Sequence, residues 1–167
     1  MATYSTDRSW SDKMIPQIKE IVGPYLLDIT PDEIDTKQAA DLMILGARDM
    51  RIAARVRRPG YAERYPYEFT LRSRRDSGAE TELSKVINGL GDWMFYGHAD
   101  NADKIGLWWL INLCAFRAAL IRDAKSIRFK KQDNGDGTYF VAYDLRSFPK
   151  TPSILIGSSS RIDSVAA

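Results

Sequence analysis

The stretch MRIAARVRR, residues 50–58, decides the fold. Ile52, Ala54 and Val56 alternate with Arg51, Ala53, Arg55 and Arg57, a period of two that belongs to a strand and that a helix cannot reproduce. The covered face is expected to carry Ile52, Ala54 and Val56, with Arg55 opposite. A second alternating stretch follows in EFTLRSR, residues 68–74, where Phe69, Leu71 and Ser73 interleave with Glu68, Thr70, Arg72 and Arg74. Pro59-Gly60 and a tyrosine-rich loop, YAERYPY at 61–67, separate the two. Upstream, AADLMIL reads as a strand over 41–45 that opens on Asp41. Together these segments predict an antiparallel three-strand meander over residues 41–74.

Outward from this centre, residues 9–23 (SWSDKMIPQIKEIVG) place Ile15, Ile18, Ile21 and Val22 at helical spacing and stop at Gly23-Pro24. SGAETELSKVINGLG, from Ser77, reads as a capped helix with Leu83, Val86, Ile87 and Leu90 inward. DWMFYGHA is a strand. GLWWLINLCAFRAALIRD reads as a strand over 107–111 followed by a helix that Asn112 caps, though a single buried helix fits the same apolar run. SIRFKKQDNGDGTYFVAYDL forms a C-terminal hairpin around Asn134-Gly135-Asp136-Gly137. The class is α+β: a mixed sheet flanked by helices, in one domain over 1–157, with residues 158–167 as a flexible polar tail.

Composition bounds the function. One cysteine, Cys114, and one histidine, His98, exclude an internal disulfide and a Cys/His zinc site. Cys114, in an apolar segment, is expected in the core. His98, with no acid or nucleophile tied to it by sequence, reads as packed or solvent-facing. No apolar run is long enough to span a bilayer and the N-terminal residues carry no signal-peptide core, so a reducing, cytoplasmic setting without a membrane partner is expected. The net charge of +2 names no partner by itself, but its distribution does. Eight arginines, at 51, 55, 57, 58, 64, 72, 74 and 75, stand against Glu63 and Glu68 between residues 51 and 75, while the rest of the chain is net acidic.

Pairing the two basic strands would set Arg51, Arg55 and Arg57 beside Arg72 and Arg74, a guanidinium lattice suited to phosphates. Like charges side by side are costly, so a compensating group is expected. Tyr61, Tyr65 and Tyr67 are placed to stack on bases or support the guanidinium planes. The alternative is a solvated face balanced by acids such as Asp32, Glu33 and Asp35. Metal chemistry needs converging carboxylates, for which Asp41, Glu68, Glu80, Glu82 and Glu20 are the candidates. DNGDGT starts like a calcium loop but lacks the distal bidentate glutamate, so it reads as a turn.

The order helix, meander, helix, strand resembles the PD-(D/E)XK nuclease-like superfamily, in particular its small phage and bacterial members. The resemblance rests on AADLMIL, IAARVRR, YEFTLRS and GDWMFYGHAD, covering about residues 37–100. It implies a restriction-endonuclease-like core, a phage-related protein acting in the bacterial host cytoplasm, and magnesium held by Asp41 with other carboxylates. Where the family carries acid-x-Lys, this chain has Ala53-Ala54-Arg55, which removes a metal ligand and replaces a lysine by a guanidinium that cannot serve as a base. A nucleic-acid-binding protein with weak or lost phosphodiesterase activity follows, contacting DNA more than RNA through Arg51, Arg55, Arg57, Arg72 and Arg74 and requiring no cofactor. Two alternatives stand beside it. One is an active magnesium-dependent endonuclease in which Asp41, Glu82 and Glu68 hold the ion and Arg55 neutralises the scissile phosphate. The other is an interaction factor whose arginine face docks an acidic protein.

Overall fold

The computed structural model describes residues 4–29, 42–44 and 50–159. They fall into two compact units, one within Met1–Met50 and one within Arg51–Ala167. No linker at Met50 marks this boundary in the sequence, which reads as one domain through 157.

In the first unit, α1 (Tyr4–Val22) buries Met14, Ile18 and Val22 at spacings of four, one stripe of a helix, and ends in a 3₁₀ turn at Gly23–Tyr25. Ile15, expected inward, is exposed because it lies off that stripe. Two short strands, β1 (Leu27–Ile29) and β2 (Leu42–Ile44), pair antiparallel. β2 falls within the expected strand over 41–45; Asp41 itself lies outside the described residues, as do Asp32, Glu33 and Asp35.

The second unit is α+β. It contains β3 (Ile52–Arg57), α2 (Tyr61–Arg64), β4 (Glu68–Arg75), α3 (Glu82–Ile87), β5 (Trp93–Ala99), β6 (Ile105–Asn112), α4 (Leu113–Arg122), β7 (Phe129–Asp133), β8 (Thr138–Asp144) and β9 (Leu155–Ser158). One mixed sheet runs in the order β3-β5-β6-β9 and one antiparallel sheet in the order β4-β8-β7. Residues 52–57 are a strand, as their alternation requires, but the expected meander does not form. β3 pairs in parallel with β5, Ile52 opposite Trp93 and Arg57 opposite His98, while β4 pairs with β8. The physical reason lies in β5: its buried run from Met94 to Ala99 needs neighbours on both edges, and β3 and β6 supply them.

The core fills the space where the two sheets face each other. Phe69, Leu71, Val141 and Tyr143 from one sheet meet Met94, Tyr96, Trp109 and Ile111 from the other, and Leu113, Phe116 and Ala119 of α4 close it. Phe69 stands at its centre, edge-on to Phe116 at 5.6 Å and stacked on Tyr143 at 5.4 Å. Asn112 caps α4 as its spacing predicts, accepting from the amides of Cys114 and Ala115 at 3.0 and 3.1 Å. The cap also sets the helix phase, turning Leu113 and Phe116 inward and leaving Cys114 exposed rather than in the core. α3 is shorter than expected and ends at Ile87, so Ile87 and Leu90 are exposed and only Val86 is buried. Gly135 and Gly137 take positive φ in the β7–β8 turn, which is a hairpin as read. β9 was not expected from sequence; it pairs with β6 through Ser158, so the tail is held at least to that residue.

Gly97 marks a close approach in β5. A methyl group there would stand 2.9 Å from the ring of Phe95 and 3.2 Å from Ile105, and the Phe95 ring, fully buried, has nowhere to move. Gly97→Ala is therefore expected to lower stability by about 1–3 kcal/mol, the range for overpacking a filled interior. Urea unfolding of the two proteins, with an unchanged dependence on denaturant concentration, measures it.

Candidate functional site

β3 and β4 are each an edge strand of a different sheet, and an edge strand leaves backbone donors and acceptors without a ladder partner. Arg55 meets this need at β4. Its Nη1 donates to the carbonyl of Thr70 at 2.8 Å and to Thr70 Oγ1 at 3.3 Å, and lies 3.0 Å from Glu82 Oε2. The same Glu82 oxygen accepts from the amide of Arg72 at 3.2 Å. Thr81, the N-cap of α3, donates its hydroxyl to the carbonyl of Ser73 at 3.4 Å and accepts from the amide of Ser84. The free edge of β4 is thus covered by side chains from β3 and from the start of α3.

The same geometry corrects the expected faces of β3. Ala53, Arg55 and Arg57 are in register with Met94, Tyr96 and His98, and Ala53 packs on the core, so the arginines lie on the core-facing side. Ala54 is exposed. An edge strand tolerates this because long guanidinium side chains reach past the sheet to polar partners while their methylene stems stay covered.

Around the Arg55–Glu82 pair opens a cleft of about 480 Å³, whose charged lining is Arg51, Arg55, Arg72, Arg75 and Lys85 against Glu80 and Glu82. Arg72 has its pKa lowered from the usual arginine value, first by burial and then by the positive charges of Arg75 and Arg55; Glu82 and Asp136 act in the opposite sense. Arg75 Nε is buried without a hydrogen-bond partner. Of the five arginines expected to bind nucleic acid, Arg51, Arg55 and Arg72 reach this cleft. Arg57 instead lies over the Tyr61 ring at 4.0 Å, and Arg74 over Tyr139 at 3.7 Å with Asp76 at 3.4 Å.

A bulge explains the exchange. The register of β4 against β8 shifts between Arg72 and Arg74, so Arg72 stands opposite Phe140, Arg74 opposite Tyr139 and Arg75 opposite Thr138. Strict alternation would keep Arg74 beside Arg72; the extra residue turns Arg74 away and brings Arg75 to the cleft. The adjacent arginines in RSRR were visible in the sequence, but nothing there locates a bulge. Lys85 follows from its place on α3, four residues after Thr81.

The carboxylates proposed for metal divide. Glu82 is engaged by Arg55 and the Arg72 amide, Glu80 shares its cleft, and Glu68 is paired with Lys130 at 3.6 Å in a different cavity. Among the described residues no three Asp, Glu, His or Cys side chains gather as a metal-holding group, and Asp41 lies outside them.

That different cavity is a pocket of about 190 Å³ reached by residues of both sheets and of α2. Its wall includes Tyr96, whose hydroxyl shares a hydrogen bond with Thr70 Oγ1 at 3.0 Å, and His98. The imidazole is buried, edge-on to Tyr96 at 5.6 Å and to Trp109 at 5.4 Å, and neither ring nitrogen has a hydrogen-bond partner. From sequence, His98 is expected packed or solvent-facing. It is packed, and the unmet polar atoms are what the sequence could not show. No family model, curated protein or solved structure matches the chain.

Burial, with Arg57 acting in the same direction and Glu63 opposing it, pushes the His98 pKa down to about 4. The unfolded chain holds its proton on this histidine below about pH 6.5 and the folded protein does not, so stability falls as pH drops from about 6.5 to about 4. The loss over this window is about 3 kcal/mol. Denaturant midpoints measured from pH 7 to pH 4 are expected to fall more steeply for the parent than for His98→Gln.

Proposed function

We propose that the protein binds the phosphodiester backbone of nucleic acid in the cleft around Arg55, and that binding rather than cleavage is its activity. The observation that carries this reading is the unbalanced charge of the cleft: five cationic side chains from β3, β4 and α3 and the segments beside them surround two acids. Arg75 adds a buried guanidinium N–H that an anionic oxygen would satisfy. Arg55 itself is committed to Thr70 and Glu82, so its main part is to hold the cleft open and positive, and Arg51, Arg72, Arg75 and Lys85 are the groups that meet phosphate.

The magnesium-dependent alternative is less well supported. Glu82 is already neutralised by a guanidinium 3.0 Å away, which takes the place a metal ion would need and repels it. The binding reading also stands apart from the nuclease-like resemblance and the phage origin it implies, since the parallel pairing of β3 with β5 is not the strand order on which that resemblance was drawn. Docking of an acidic protein uses the same charges and is separated by experiment.

Fluorescence anisotropy with labelled single-stranded and duplex DNA, and then RNA, is expected to show binding that weakens steeply with salt, each neutralised phosphate adding about 0.7–0.9 to the logarithmic slope. The Arg75→Ala, Lys85→Ala double variant, which spares the Arg55–Glu82 pair, is expected to lose about tenfold in affinity at low salt and up to about two units of slope. An unchanged slope and affinity would overturn the assignment of the cleft. Competition by poly-glutamate at equal charge concentration would favour the acidic-protein reading. Magnesium-dependent cleavage abolished by Glu82→Gln would make the protein a nuclease.

A further inference from the structure

We propose that the 190 Å³ pocket beside His98 is a receptor for one planar heteroaromatic ring, an unpaired nucleobase of the strand whose backbone lies in the basic cleft. The inference rests on the proposed binding function and adds to it the strandedness of the ligand and a second point of contact.

Size comes first. An apolar protein cavity of about 150 Å³ accepts benzene, so about 190 Å³ holds a single ring system with little to spare and leaves a sugar at the mouth. The walls suit a flat ring. Tyr61, Tyr65, Tyr96 and Phe140 offer aromatic surface, and base stacking on such surface contributes about 1–3 kcal/mol whatever the base.

The polar groups exclude a simple ion. Arg57 donates only and the Glu68 carboxylate, paired with Lys130 outside the pocket, accepts only, so the wall offers neither an anion nor a cation a surface of one opposite sign. A neutral ligand carrying both donors and acceptors meets neither difficulty. His98 asks for the same thing. A neutral imidazole has one N–H and one bare nitrogen; here both are buried at 2% exposure and both lack a partner, which costs stability until something supplies them. Gln132, whose amide also donates and accepts, completes an edge that can read a base.

Position links the pocket to the cleft. Thr70 lines the pocket, Glu82 lines the cleft, and the Arg55 guanidinium bonds to both, so a lining residue of each cavity meets at one side chain. A nucleotide that enters the pocket does so with its base out of the stack, which a single strand permits and a closed duplex opposes.

The chain's single histidine provides the test. The Cε1 proton of His98 is followed by NMR while each of the four 2′-deoxynucleosides is added to the full-length protein, and the expected result is a saturable shift that is insensitive to salt. Gln132→Ala and Tyr65→Ala are each expected to weaken that binding about fivefold to tenfold, the loss of one hydrogen bond or one stacking face. A single strand is expected to bind more tightly than an abasic strand of equal length. If no nucleoside moves the resonance and the abasic strand binds equally well, the pocket holds solvent only and the inference fails, while salt-dependent binding of both strands would leave the cleft reading standing. If nucleosides shift the resonance but no strand binds with a salt slope, the pocket is a base site and the backbone reading is the one that fails.

Discussion

Arg55 solves a problem created by the topology. Two sheets present their edge strands to each other, and an edge that stays unpaired in a half-buried place loses its hydrogen bonds with water without replacing them. A guanidinium can bridge the gap because each terminal nitrogen carries N–H donors held in a fixed plane, and here Nη1 alone reaches both the Thr70 carbonyl and the Glu82 carboxylate. A lysine ammonium sits on a flexible stem with no rigid plane to fix the direction of its donors. Glu82 is the necessary counterpart: it neutralises Arg55 and takes up the Arg72 amide, so removing either partner would leave the other without its opposite charge in a partly buried place.

From this joint the two cavities follow, with opposite chemistry on its two sides. On the α3 side the arginines of β3 and the bulged end of β4 converge, and burial first, then the charges of Arg75 and Arg55, lower the pKa of Arg72. On the other side, the aromatic residues of β5 and β8 and the short helix α2 enclose a pocket whose charges nearly balance and whose histidine is unpaired. A fold that only needed to be stable would fill that pocket with apolar side chains and spread those arginines apart. The proposed ligand, anionic along one part and aromatic along another, would use both features together.

Much of this was legible in the sequence, and the limits have physical causes. The strand at 52–57, the Asn112 cap, the C-terminal hairpin and the tyrosine support of a guanidinium all depend on neighbours close in the chain, and they appear as read. Strand partners depend on distant residues, and local alternation says nothing of them; β3 chose β5, forty residues on, over β4. The candidate site shows the same division. The arginine cluster was evident from composition, but the bulge at Ser73 decided that Arg75 rather than Arg74 joins it, and a single inserted residue leaves no mark on an alternating pattern in which every second position is basic. The compensating acid was sought among Asp32, Glu33 and Asp35. Those three lie outside the described residues; among the described ones Glu82, considered in the sequence as a metal ligand, is the acid paired with Arg55.

The central claim is that phosphate occupies the cleft beside Arg55, and a crystal structure of the protein with a short single-stranded oligonucleotide tests it most directly. A backbone phosphate is expected within hydrogen-bonding distance of the Arg75 and Arg72 guanidinium groups, with the Arg55–Glu82 contact intact. An oligonucleotide bound elsewhere on the protein with this cleft open to solvent, or one that breaks the Arg55–Glu82 pair to place a metal ion on Glu82, would contradict it.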